Sequence, residues 1–130
     1  IALVPVVSIK LKGHQIKDGS AAKIFDKAIL MPIYACSLEE IPPPISVEYA
    51  LLIFVRLSEA ILFLIDKCWL HGDIKPSNIF IDHLGVTWVG AYGSSVKYEM
   101  VREFTGGTPA YQCPDIGVVT NLHQFDKFDL

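Results

Sequence analysis

His71-Gly72-Asp73-Ile74-Lys75-Pro76-Ser77-Asn78 runs directly into Ile79-Phe80-Ile81-Asp82. One short loop carries a carboxylate, an ammonium and a carboxamide at fixed offsets, and an apolar, strand-like run leaves it. A carboxylate can take a hydroxyl proton. A lysine two positions on can hold a phosphate oxygen, and an asparagine five positions on can ligate a hard cation through its amide oxygen. Together these groups equip a loop for phosphoryl transfer. The plainer reading is an ordinary polar loop between a helix and a strand.

The segments on either side fit such a loop. From Ser46 to roughly Leu70, the residues Ala50, Phe54, Leu57, Ile61, Leu64 and Cys68 recur at steps of three and four, and Ile53, Ala60 and Ile65 widen the stripe. This predicts a long core helix, with Ser46 able to cap it. After the loop, Ile79–Asp82, the turn His83-Leu84-Gly85 and Val86–Val89 read as strand, turn, strand. Leu3–Leu11 and Ala28–Tyr34 read as two further strands, separated by a polar stretch with Gly13 and Asp18-Gly19 as turn signals. Ser37 and Glu40 have the spacing of a capping box, and Pro42-Pro43-Pro44 ends that short helix. The fold class expected is α+β.

Composition narrows the function classes. The chain has 130 residues, 52% of them hydrophobic, and a net charge of −3. That is the composition of one globular domain. No Lys/Arg stripe with interleaved aromatics occurs, so a nucleic-acid partner is not expected. Cys36, Cys68 and Cys113 are odd in number and far apart, which suggests a reducing, cytoplasmic compartment. The histidines share no ligand spacing with them, so no zinc site is expected. Arg56, Glu59, Asp66 and Lys67 interrupt the most apolar stretch, so a soluble helix is expected and no membrane association. The chain begins at Ile1 without an initiator methionine and reads as a piece of something longer.

The loop resembles the catalytic loop of protein kinases, His-Arg-Asp-x-Lys-x-x-Asn, with Gly72 in place of the arginine. Downstream, Gly107-Thr108-Pro109-Ala110-Tyr111-Gln112-Cys113-Pro114-Asp115 resembles the kinase Gly-Thr-Pro-x-Tyr-x-Ala-Pro-Glu segment. The two motifs stand in the family's order. Between them, Ala91-Tyr92-Gly93 occupies the place of Asp-Phe-Gly, so alanine replaces the family's metal-binding aspartate. Lys127-Phe128-Asp129-Leu130 looks like the start of the helix that braces the catalytic loop. Val7-Ser8-Ile9-Lys10 superficially resembles the Val-Ala-Ile-Lys motif. However, only about twenty residues separate Lys10 from the hinge, too few for the helix and strands that should intervene at ~1.5 Å per helical residue.

The resemblance implies a protein-kinase-like fold, present as one partial domain. Residues 1–34 would be late small-lobe strands and hinge, and 35–130 the first part of the helical large lobe with its catalytic loop and activation segment. It implies a serine/threonine kinase using ATP and Mg²⁺ on a protein substrate or partner. Asp73 would orient and deprotonate the hydroxyl, Lys75 would stabilise the phosphoryl group, and Thr108 would support both. Asn78 would hold one Mg²⁺. Met31, Ile33, Tyr34 and Phe80 would surround the adenine. His71 and Tyr92 would stack in a hydrophobic spine. Because alanine cannot ligate a metal, a pseudokinase acting as a binding module is the alternative. A small-molecule phosphotransferase of the aminoglycoside-kinase type shares His-Gly-Asp-x-x-x-x-Asn but lacks the Gly-Thr-Pro segment. Substrate, partner and oligomeric state are not encoded in these motifs.

Overall fold

The computed structural model describes residues 1–17, 22–99 and 107–112, the side chains of 12–17 and 22–26 excepted. They fall into two compact units: Val4–Ile33, and Ile1–Leu3 together with the chain from Tyr34 onward. Cys113, Asp115, Thr105 and Lys127–Leu130 lie outside the described residues.

The first unit is an antiparallel pair, β1 (Val7–Lys17) and β2 (Ala22–Leu30). The apolar runs predicted strands over Leu3–Leu11 and Ala28–Tyr34. Instead, both strands extend through the polar stretch, and Met31–Tyr34 lies outside β2. A two-stranded ribbon satisfies its backbone by pairing, so polar residues can carry it and apolar density does not mark its ends. Gly13, read as a turn, sits inside β1 where the register shifts between Lys10 and His14, as a strand glycine at a bulge does. Lys10 is exposed and faces Lys27 across the pair.

The second unit mixes one long helix with small antiparallel sheets, an α+β arrangement. Strand β3 (Cys36–Ser37) opens it. A single turn of 3-10 helix, Leu38–Glu40, follows and is closed by the capping box: the Ser37 amide and hydroxyl both donate to the Glu40 carboxylate, at 2.6 and 2.9 Å. Helix α1 runs from Val47 to Asp66. Ser46 Oγ accepts from the Tyr49 amide at 3.1 Å, satisfying one of the free N–H groups of the first turn. The helix stops short of the predicted Leu70 because Cys68 takes a left-handed conformation, φ 58°. The chain then leaves as β4 (Trp69–Leu70).

After the loop at 71–78 come β5 (Ile79–Ile81) and β6 (Thr87–Val89), which pair Ile79 with Val89, Phe80 with Trp88 and Ile81 with Thr87. Strand β3 joins the other edge of β5, and β7 (Val96–Lys97) pairs with β4. Asp82 Oδ1 accepts from the Leu84 and Val86 amides, both at 2.9 Å, and its Oδ2 accepts from Trp88 Nε1 at 3.0 Å, so one carboxylate ties off the β5–β6 turn. Helix and sheet are joined where Arg56 donates to the Thr87 carbonyl and lies over the Trp88 ring. Ala60 of α1 packs against Ala2 and Val89, and Leu3, Leu57 and Ile74 close around them. The small side chains let the backbones approach: the Val89 amide reaches the Ala2 carbonyl at 2.7 Å.

The predicted helix stripe is only partly the buried face. Ile53, Ala60 and Ile61 are buried, Leu57 and Leu64 are half-buried, and Phe54 is 65% exposed. Leu51, Leu52, Val55 and Leu62 are also exposed. A helix apolar on nearly every side gives no periodic signal that singles out one face. Among the described residues, no helix is long and apolar enough to cross a membrane.

Candidate active site

The loop His71–Asn78 is held at both ends by burial. Leu70 and His71 at its start are almost wholly enclosed, and Asn78 and Ile79 at its end are buried. Gly72, at φ 82°, makes the left-handed turn that swings the chain out towards Asp73. His71 works within the fold. Its Nε2 lies 2.8 Å from the Gly90 carbonyl, to which it donates, and its Nδ1 accepts from the Asp73 amide at 3.2 Å. That pattern assigns the neutral ring with its proton on Nε2. Ser95 Oγ donates to the His71 carbonyl at 3.0 Å, and the Tyr92 ring meets the imidazole edge-on at 5.8 Å.

Asp73, Lys75, Asn78 and Thr108 converge. Thr108 Oγ1 donates to Asp73 Oδ1 at 2.7 Å and accepts from Lys75 Nζ at 2.7 Å. Lys75 Nζ is also 3.3 Å from Asp73 Oδ2, and Asn78 Nδ2 donates to that oxygen at 3.0 Å and to the Asp73 carbonyl at 2.8 Å. Burial alone would raise the Asp73 carboxyl, but the hydrogen bonds from Thr108, Asn78 and Lys75 outweigh it and hold the group below its ordinary range. The result is an ionised carboxylate in a half-open site, with an ammonium and a hydroxyl fixed beside it.

The residues expected around an adenine are divided between the two units. Tyr34 and Phe80 stack at 5.4 Å and 29°, and Trp88 stands 6.4 Å from Tyr34. Burial, then the charge of Asp82, push the Tyr34 hydroxyl above its usual value. Met31 and Ile33 belong to the other unit and are exposed, Ile33 at 88%. Trp88 and Asp82, which the sequence did not single out, stand with Tyr34 and Phe80. The only sequence signal for Trp88 was its place directly opposite Phe80 in a two-strand reading. A cavity of about 470 Å³ lies elsewhere, between Leu38, Ile45, Ile53, Pro76 and Tyr111.

The donor set does not fit a protein-chelated metal of the kind the resemblance implies. Among the described residues, no three His, Cys, Asp or Glu side chains gather around one point. Asn78 offers an amide oxygen, and Asp73 is already committed to Lys75, Thr108 and Asn78. Ala91 presents a methyl group, in the left-handed region at φ 64° and ψ 61°. Aspartate and asparagine adopt that conformation more readily than alanine.

No known family's profile matches the chain. Its curated relatives are protein kinases. It is 32% identical over 89 residues to the MAP kinase kinase kinase wis4 of Schizosaccharomyces pombe, covering 58% of this chain and 6% of that protein. It is 32% identical over 95 residues to the G2-specific protein kinase fin1 of the same yeast, covering 71% of this chain and 12% of that one. It is 31% identical over 86 residues to a putative serine/threonine-protein kinase B of Trypanosoma brucei brucei, covering 62% and 20%. The chain thus spans a fifth or less of each of these relatives, and the likeness supports a protein-kinase domain.

Proposed function

We propose that the chain is the middle of a serine/threonine protein-kinase domain, with residues 1–34 from the end of its small lobe and hinge and 35–130 from its large lobe. In this reading it binds ATP and a protein substrate or partner at the Asp73 loop. The observation that carries it is the network in which Thr108 joins Asp73 and Lys75 while Asn78 holds the other carboxylate oxygen. An ionised carboxylate accepts a hydroxyl proton, and a fixed ammonium steadies negative charge on a transferring phosphoryl group. Phe80 and Tyr34 offer an aromatic platform for a purine ring.

The resemblance gives Asn78 the task of helping to hold a Mg²⁺, which would supply charge neutralisation for the phosphates when bound. Ala91 leaves that hold weak, which favours a second reading: a pseudokinase that binds nucleotide or a partner without appreciable turnover. Thermal shift of the intact protein with ATP and Mg²⁺ or Mn²⁺, followed by phosphate transfer to a peptide, separates the two. Transfer that disappears in Asp73→Asn supports the kinase. Binding without transfer supports the pseudokinase, and no nucleotide binding at all removes the adenine-site reading.

A further inference from the structure

We infer that Gly107 is a positioning residue: its bare Cα lets the downstream segment press against the Gly72 carbonyl, and this packing seats Thr108 on Asp73 and Lys75. Gly107 has φ 93°, and a Cβ built there would stand 2.6 Å from Gln112 Nε2 and 2.9 Å from the Gly72 carbonyl oxygen. The amide of Gln112 is the end of a side chain and gives more readily than backbone. The Gly72 carbonyl is backbone and belongs to the same loop as Asp73. Relieving a 2.9 Å contact to an ordinary separation of ~3.5 Å moves the segment by about 0.6 Å.

Thr108 is the next residue, and its hydroxyl makes both bonds at 2.7 Å. A displacement of that size carries them to the limit of hydrogen bonding. The turn that follows keeps the segment compact. The Tyr111 amide donates to the Thr108 carbonyl at 2.9 Å, and the Gln112 amide donates to the Pro109 carbonyl at 3.4 Å, returning Gln112 to Gly107. Loop and segment are therefore latched by backbone packing at Gly72 and Gly107, one residue before each partner of the Asp73–Thr108 bond. The latch is a matter of packing and does not depend on turnover at the site.

Gly85 supplies the control. It too has positive φ, 78°, but nothing lies within 4 Å of a Cβ built there. Gly85→Ala therefore introduces backbone strain without a collision. In the intact protein, NMR should show the hydrogen-bonded contact of the Thr108 hydroxyl with Lys75 and Asp73 kept in Gly85→Ala and lost in Gly107→Ala. The Tyr111 amide should exchange at least about tenfold faster in Gly107→Ala, measured relative to the Ala50 amide in α1, because the opening is local. Should Gly107→Ala fold poorly, the double variant Gly107→Ala/Gln112→Ser removes the softer collision and keeps the one with Gly72, so the Thr108–Lys75 contact stays lost. A retained contact in either variant, or exchange no faster than in Gly85→Ala, overturns the inference.

Discussion

Thr108 and Asp73, far apart in sequence, share a 2.7 Å hydrogen bond through which the segment at 107–112 grips the loop at 71–78. The same hydroxyl accepts from Lys75. One side chain thus orients both the carboxylate and the ammonium on which the proposed chemistry rests.

Thr108→Val keeps the shape of the side chain and removes both bonds. Hydrogen bonds to charged partners are worth about 1.5–3 kcal/mol, and solvent access to this half-open site puts the expected loss at the lower end. Urea denaturation of the intact protein measures it. A stability equal to wild type would mean that the bond contributes nothing.

The pH dependence follows from the direction in which Asp73 is shifted. Its carboxyl is lowered in the folded protein, because the bonds from Thr108, Asn78 and Lys75 exceed the effect of burial. A lowered carboxyl contributes stability that is fully present above the unfolded value of ~3.9 and is lost as pH falls through the folded value. The difference in melting temperature between wild type and Asp73→Asn should hold steady from neutral pH to the ordinary carboxylate range and shrink below it. A difference that stays constant into strong acid contradicts this account of the network.

Phe80→Ala removes one ring of the Tyr34–Phe80 pair, stacked at 5.4 Å. If a purine lies on this platform, nucleotide affinity should fall by about 0.5–1.5 kcal/mol, the worth of an aromatic contact beyond its area. Titration calorimetry with ATP reads this directly. Unchanged affinity would place the nucleotide elsewhere.

The resemblance implies that the arginine standing at the Gly72 position pairs with a phosphate on the activation segment, so a phosphate on Thr105 would lack that cationic partner here. The phosphomimetic Thr105→Glu should therefore leave nucleotide binding and any transfer activity near the wild-type level. Strong activation would show that another cation takes the arginine's part.

The local chemistry of the chain was legible where neighbours in sequence act on one another. Ser46 caps α1, Ser37 and Glu40 close their box, and 79–89 forms strand, turn and strand, because each depends on offsets of a few residues. Asp73, Lys75 and Asn78 meet for the same reason, being parts of one loop. Thr108 could be placed beside them only through a second motif. Contacts set by packing were hidden. Cys68 ends α1 by its backbone conformation, which no helix-breaking residue announces. The buried face of α1 was ambiguous because the helix is apolar on several sides. The polar halves of β1 and β2 pair through backbone groups that every sequence carries. The triple duty of the Asp82 carboxylate and the close approach of Gly107 to Gly72 depend on distances that spacing does not reveal.

The proposed phosphate transfer turns on Ala91. That residue lies in a left-handed conformation that suits aspartate, beside a loop furnished with a carboxylate, an ammonium and a carboxamide. The most direct measurement is Mg²⁺-dependent phosphate transfer from ATP by the intact protein, compared with Ala91→Asp and with Asp73→Asn. Restoring one metal ligand should raise transfer by at least about tenfold, the effect of ~1.4 kcal/mol on a barrier, and Asp73→Asn should abolish transfer in both backgrounds. Transfer unaffected by Ala91→Asp, or surviving in Asp73→Asn, would contradict the account.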